Sequence, residues 1–167
     1  MTRIQRFTVA SLAAAGLMLA ASNAFAASAK DLVGTWQLVS NVVTKADGTK
    51  SDQFGPNPHG IIYFESNGHY VLSIIRDGLP KFTGKGRMNA TPEEYKAVVQ
   101  GSISHFGTYE VEGDKIVFHV AYATFPNWDG TTSKRPFKIT GDQLQFFVPS
   151  ASAGAGTSSV VTLKRQK

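Results

Sequence analysis

Short runs of alternating apolar and polar residues cover most of this chain, with turn residues between them. In Gly34-Thr35-Trp36-Gln37-Leu38, Trp36 and Leu38 fall on one face and Thr35 and Gln37 on the other. This period of two marks a strand with one buried side. The strand runs over 34–44, Ala46-Asp47-Gly48 turns it, and Lys50 to Phe54 is a short return. Phe54-Gly55-Pro56-Asn57-Pro58-His59-Gly60 is a fixed loop, because proline pins φ and glycine reaches conformations closed to other residues. Gly60–Glu65 and 69–76 form a hairpin around Asn67-Gly68.

Residues 77–90 carry Gly78, Pro80, Gly84 and Gly86 and read as irregular. A helix over 92–104 follows. Thr91 caps it, Pro92 takes the first helical position, and Glu94 reaches back as in a capping box. Tyr95, Val98, Val99 and Ile103 repeat at helical spacing, and Gly107 closes the element. The chain then returns to strands. Residues 107–112 and 115–124 turn at Gly113-Asp114, and 131–140 and 143–149 turn at Gly141-Asp142. Between the hairpins lies a second special loop, Phe125-Pro126-Asn127-Trp128-Asp129-Gly130. Ala151–Gly156 is small and flexible, and 157–165 is the last strand. Eight to ten strands, local connections and one short helix define an all-β chain. It is an antiparallel meander closed into a barrel or folded as a tight sandwich.

The pattern leaves open which face of the strand around 116–123 points inward. Ile116, Phe118, Val120 and Tyr122 form a bulky face that suits a core. Val117, His119, Ala121 and Ala123 form a small face that leaves room for a ligand in a barrel of about eight strands, or packs against aromatic residues across it.

The opening residues change the picture of address. Arg3 and Arg6 precede an apolar, alanine-rich run from Phe7 to Ala21, and Ala24-Phe25-Ala26 is a small-residue cleavage site. The run is shorter than the ~20 residues that span a bilayer. Residues 1–26 are therefore expected to be a cleaved secretory signal, leaving residues 27–167 as one periplasmic or secreted domain without stable membrane insertion. The chain has no cysteine, which removes disulfides, thiolate ligands and a cysteine nucleophile. Its formal charge of +5 is scattered, with no stripe suited to nucleic acid.

Several blocks together resemble the lipocalin-like domain family of small bacterial and fungal proteins, distant relatives of lipocalins. They are Leu32-Val33-Gly34-Thr35-Trp36-Gln37-Leu38, Phe54-Gly55-Pro56-Asn57-Pro58 with Gly60-Ile61-Ile62-Tyr63, Gly107-Thr108-Tyr109-Glu110-Val111 with His119, and Phe125-Pro126-Asn127-Trp128 with Gly130, Arg135 and Gly141-Asp142. They span most of 31–165. The resemblance implies an up-and-down β-barrel with a central cavity for a small, largely apolar molecule. Two features depart from the family pattern. The last strand, Val161-Thr162-Leu163-Lys164-Arg165, lacks the usual tryptophan, and His105 stands where a small residue is commoner. The resemblance also implies that Gly34 and Trp36 close the barrel floor with Arg135 or Arg165 through a cation–π stack.

Candidate ligand-binding residues are His119, Tyr63, Tyr70, Arg76, Tyr109, Asn127 and Trp128. An imidazole donates, accepts or shuttles protons near neutral pH. The tyrosines and Arg76 supply hydrogen bonds to a polar end, and a tryptophan in a loop between long strands suits recognition. The helix over 92–104 is placed to cover an open end. The histidines His59, His69, His105 and His119 are dispersed without metal-ligand spacing. No G-x-S-x-G elbow is present, and Gly84-Lys85-Gly86 is too short for a phosphate loop. The expectation is a cofactor-free, metal-free exported binder of a small hydrophobic or amphipathic molecule. The alternative is an isomerase or cyclase in the same cavity, with His119 and Tyr109 as its acid and base.

Overall fold

A computed structural model describes residues 27–167. The expected signal segment lies outside the described residues. Nine strands form one antiparallel sheet: β1 (Gly34–Thr44), β2 (Lys50–Asp52), β3 (His59–Phe64), β4 (His69–Ile75), β5 (Ser102–Glu112), β6 (Lys115–Ala123), β7 (Thr132–Thr140), β8 (Gln143–Val148) and β9 (Ser158–Arg165). Each of β3 to β8 pairs with its successor in sequence, and β1 pairs with both β3 and β9. Eight strands therefore close a barrel, and β2 extends the sheet beside the far end of β1. A single helical turn, α1 (Ala29–Leu32), precedes β1, and α2 (Pro92–Gly101) lies between β4 and β5.

The sequence expectation fails at one junction. The helix stops at Gly101, and Ile103 belongs to β5, which begins at Ser102 rather than at Gly107. Gly107 does not terminate anything. It sits within β5, where an added Cβ would lie 2.0 Å from the His119 carbonyl oxygen. Only a residue without a side chain lets β5 and β6 approach this closely. The helical pattern runs on into the strand because Ile103 stands four residues after Val99, a spacing that continues the helix by pattern alone.

Two bulges decide what points inward. Along β1 the register with β9 shifts between Leu38 and Ser40. Trp36 and Leu38 face the core before this point, and Asn41 and Val43 face it afterwards. One extra residue reverses the parity of every later side chain. Along β6, register with β5 shifts opposite Phe106 and Gly107, with Ala121 as the additional residue. Ile116, Phe118 and Val120 are buried inside, whereas Tyr122 is turned out. The bulky face is thus the core face for most of β6. The proposed roomy face containing His119 is corrected: His119 pairs with Thr108 on the outside of the wall.

An aromatic cluster fills the barrel interior. Phe64, Tyr70, Phe118 and Phe146 pack with centroid separations of 4.8 to 6.5 Å along the chain of ring contacts. Tilted and edge-on geometries of this kind suit aromatic quadrupoles.

Candidate functional site

One end of the barrel is shut. Trp36 is fully buried, and its indole Nε1–H donates to the Leu32 carbonyl at 2.7 Å. The Arg165 guanidinium lies 4.0 Å from the Trp36 ring centroid. Arg165 also donates through Nη1 to the Val33 carbonyl at 2.8 Å and through Nη2 to the Asp31 carbonyl. Gly34 has φ +121°, and a Cβ there would approach Arg165 Nη1 at 3.3 Å. Backbone conformation and guanidinium access both call for glycine here. Of the two arginines proposed for this closure, Arg165 provides it, and the lost terminal tryptophan does not prevent it.

Arg135 lies elsewhere. It occupies an inward position of β7 opposite Ile116, and is 4% exposed. Its guanidinium sits 4.7 Å from the Phe118 centroid, 5.6 Å from Phe146 and 5.9 Å from Trp128. Nε donates to Ser133 Oγ at 3.2 Å. Burial holds its pKa down at about 10, below the ordinary arginine value, partly offset by Tyr70. Each ion pair among the described residues involves other, exposed groups, so no carboxylate answers this charge.

His105 projects beside it. It is 2% exposed and shares a 2.8 Å hydrogen bond between its Nδ1 and the Tyr70 hydroxyl. Desolvation, followed by repulsion from Arg135, pushes the imidazole down to about 3. Desolvation likewise raises the Tyr70 phenol. Both groups are therefore neutral at physiological pH. Trp128 closes over them edge-on, its ring 5.5 Å from that of His105.

A small cavity of about 30 Å³ lies against this cluster, lined by Asn41, Phe54, Ile103, His105, Trp128 and Arg135 among others. It adjoins a cleft of about 590 Å³ at the open end, and Gln53, Phe54, Ile103 and Ser152 line both. Arg76 and Val99 line the outer cleft. Val99 is 75% exposed, so α2 presents an apolar side chain to the mouth instead of burying it. Within the inner cavity, Asn41 is 7% exposed and its Oδ1 has no hydrogen-bond partner among the described residues.

The structure separates the sequence-derived candidates. Tyr70 and Trp128 belong to the inner cluster. Arg76 lines the mouth, where its Nη2 donates to the Gln53 carbonyl at 2.9 Å. Asn127 is exposed in the loop above. Tyr63 faces outward. Tyr109 faces the packed end, its hydroxyl donating to the Glu65 carbonyl at 2.9 Å. His119 bonds Thr132 Oγ1 and Glu110 Oε1 on the outer wall, at 3.0 and 3.1 Å. His119 and Tyr109 therefore stand on opposite sides of the sheet and cannot act on one substrate as an acid–base pair. Asn41 was missed because only the β1 bulge turns it inward. His105 is marked in the sequence only as a departure from the family pattern, and its burial follows from its pairing with Leu72 of β4.

Comparison with known proteins places these features in context. The chain is 24% identical over 102 residues to the 4'-hydroxy-3'-methoxypropiophenone carrier protein ppsC of Aspergillus oryzae, covering 55% of this chain and 92% of the relative. A lipocalin-like protein from Bacteroides uniformis aligns over 81% of this chain and 99% of its own, with 17% identity and a TM-score of 0.44. The fluorescent protein UnaG, in its N57Q form, aligns over 81% of this chain and 96% of its own, with 14% identity and a TM-score of 0.37. The model of the lipocalin-like domain matches residues 33–166, a span that begins beside the Gly34–Trp36 closure and takes in the whole barrel: the chain belongs to the lipocalin-like domain family.

Proposed function

We propose that this protein is an exported binder or carrier of a small hydrophobic or amphipathic molecule. One observation carries this reading: a barrel shut at one end holds a buried polar cluster beside a cleft of mixed apolar and polar lining at the other, where Val43, Phe54, Val99, Ile103 and Phe125 supply the apolar part. The cleft volume falls within the ~300–1,000 Å³ usual for small-molecule sites. The related carrier is named for a compact phenolic ketone, and a molecule of that size suits the cleft. Catalysis by the buried pair is disfavoured by its electrostatics. An imidazole held near pKa 3 is a weak base, and its protonated form is scarce at neutral pH.

Export is supported by the leader pattern of residues 1–26. Expression of the full chain with its own leader should yield a protein beginning at Ala27 outside the cytoplasm, read by intact mass and fractionation. Retention of Met1 in the cytoplasm would overturn the export part. For binding, native mass spectrometry of the gently purified protein should show an adduct that disappears on denaturation. A clean apo mass, followed by no binding across a panel of small aromatic and aliphatic molecules, would sink the carrier reading.

A further inference from the structure

Arg135 and Asn41 specify more than an apolar guest. Removing a guanidinium from water is costly unless the charge is answered. Here, ring faces of Phe118, Trp128 and Phe146 surround the group, and only Nε has a hydrogen-bond acceptor among the described residues. The rings answer part of the charge. They engage the guanidinium face, whereas the Nη edge is the part that forms paired, coplanar hydrogen bonds with a carboxylate. Asn41 lines the same cavity with an unpartnered buried Oδ1. Arg135 also borders a separate cleft of about 300 Å³ beside Ser133 and Lys134. It gives the inner cavity a positive charge that no carboxylate among the described residues answers, and Asn41 gives it an unused acceptor, next to space for a headgroup but not for a whole ligand.

We infer that the inner cavity is an anion subsite, in which Arg135 binds the carboxylate of an amphipathic ligand whose apolar body occupies the outer cleft. Asn41 accepts a hydrogen bond from a hydroxyl of the ligand or from a water held beside the carboxylate. Tyr70 is a positioning residue, because its hydroxyl fixes the His105 ring that forms part of the cavity wall. This deepens the carrier reading and rests on it.

The test compares 2-naphthoate with its neutral isostere 2-naphthamide by isothermal calorimetry, using the full chain expressed with its leader. The naphthoate is expected to bind about tenfold or more tightly than the amide, the scale of a charge-assisted bidentate pair. Arg135→Met should abolish that preference, so that naphthoate binds no more tightly than the amide. Arg135→Lys, which keeps the charge but loses the fork, should retain part of the preference. It also serves if the methionine variant folds poorly, as checked by near-ultraviolet circular dichroism. Equal binding of both probes, unchanged by either substitution, overturns the anion subsite and leaves the carrier reading standing. A naphthoate preference that survives both substitutions also overturns it, placing the anion elsewhere, for example at Arg76. Failure of both probes to bind counts against the subsite and the carrier reading together.

Discussion

His105 illustrates how one residue can be set by its surroundings. Its folded pKa lies near 3, against an ordinary value of 6.5. Between these values the unfolded chain binds more protons than the native one. Stability from this group is therefore present above pH 6.5 and declines as pH falls toward 3, with a slope of up to about 1.4 kcal/mol per pH unit. Urea unfolding at pH 7 and pH 5 should show the native protein losing stability on acidification across an interval where carboxylates contribute little. His105→Gln should flatten that difference, and an unchanged slope would refute the assignment. At the other end, Arg165 combines a cation–π stack with bonds to two backbone carbonyls. Arg165→Met should cost about 2–3 kcal/mol, measured by denaturant titration. A cost below about 0.5 kcal/mol would mean that Trp36 and Leu32 close the floor unaided.

Among the elements, β5 and β6 are joined by a close backbone approach at Gly107. The Gly107 position leaves no room for a methyl group beneath the His119 carbonyl. Gly107→Ala should destabilise the protein by more than about 3 kcal/mol, or prevent folding, because backbone rather than a flexible side chain must yield. A near-neutral thermal midpoint would show that the bulge can slide. Helix α2 is held differently. Thr91 Oγ1 accepts from the Glu94 backbone N–H at 3.2 Å, while Glu94 accepts from the Thr91 and Thr83 backbone N–H groups at 2.8 and 2.9 Å. These hydrogen bonds hold Glu94 below the usual carboxylate range. The helix is secured by its cap more than by packing, since Gly101 is its one buried residue.

For the molecule as a whole, this contrast divides a rigid floor from a softer mouth. Hydrogen exchange should be slowest in β1, β9 and the buried hairpins, and faster by orders of magnitude in α2, because segments with few buried apolar contacts open locally. Uniform protection would contradict such a division. The alternating pattern, the turns and the capping box were sufficient to indicate an antiparallel meander, barrel or sandwich, with one helix, because each depends on neighbours a few residues apart; the family resemblance singled out the barrel. The same local code located Trp36, Gly34 and the capped helix start. It did not identify the inner face. Tyr63, Val71, Phe106 and Tyr122 pair across four strands yet face outward, so apolar character is present on both sides of the wall. Nor did it reveal the site. Asn41 enters the interior through a bulge that reverses strand parity, and Arg135 enters through pairing with β6, which placed it among aromatic rings far away in sequence. Sequence alone determined the strands, the turns and the class of fold, since these follow from local conformational preference. Tertiary structure decided which arginine closes the floor, which histidine is buried and where the unanswered charge lies. Register, bulges and barrel closure fix those outcomes, and all three arise from partners the local chain does not contain.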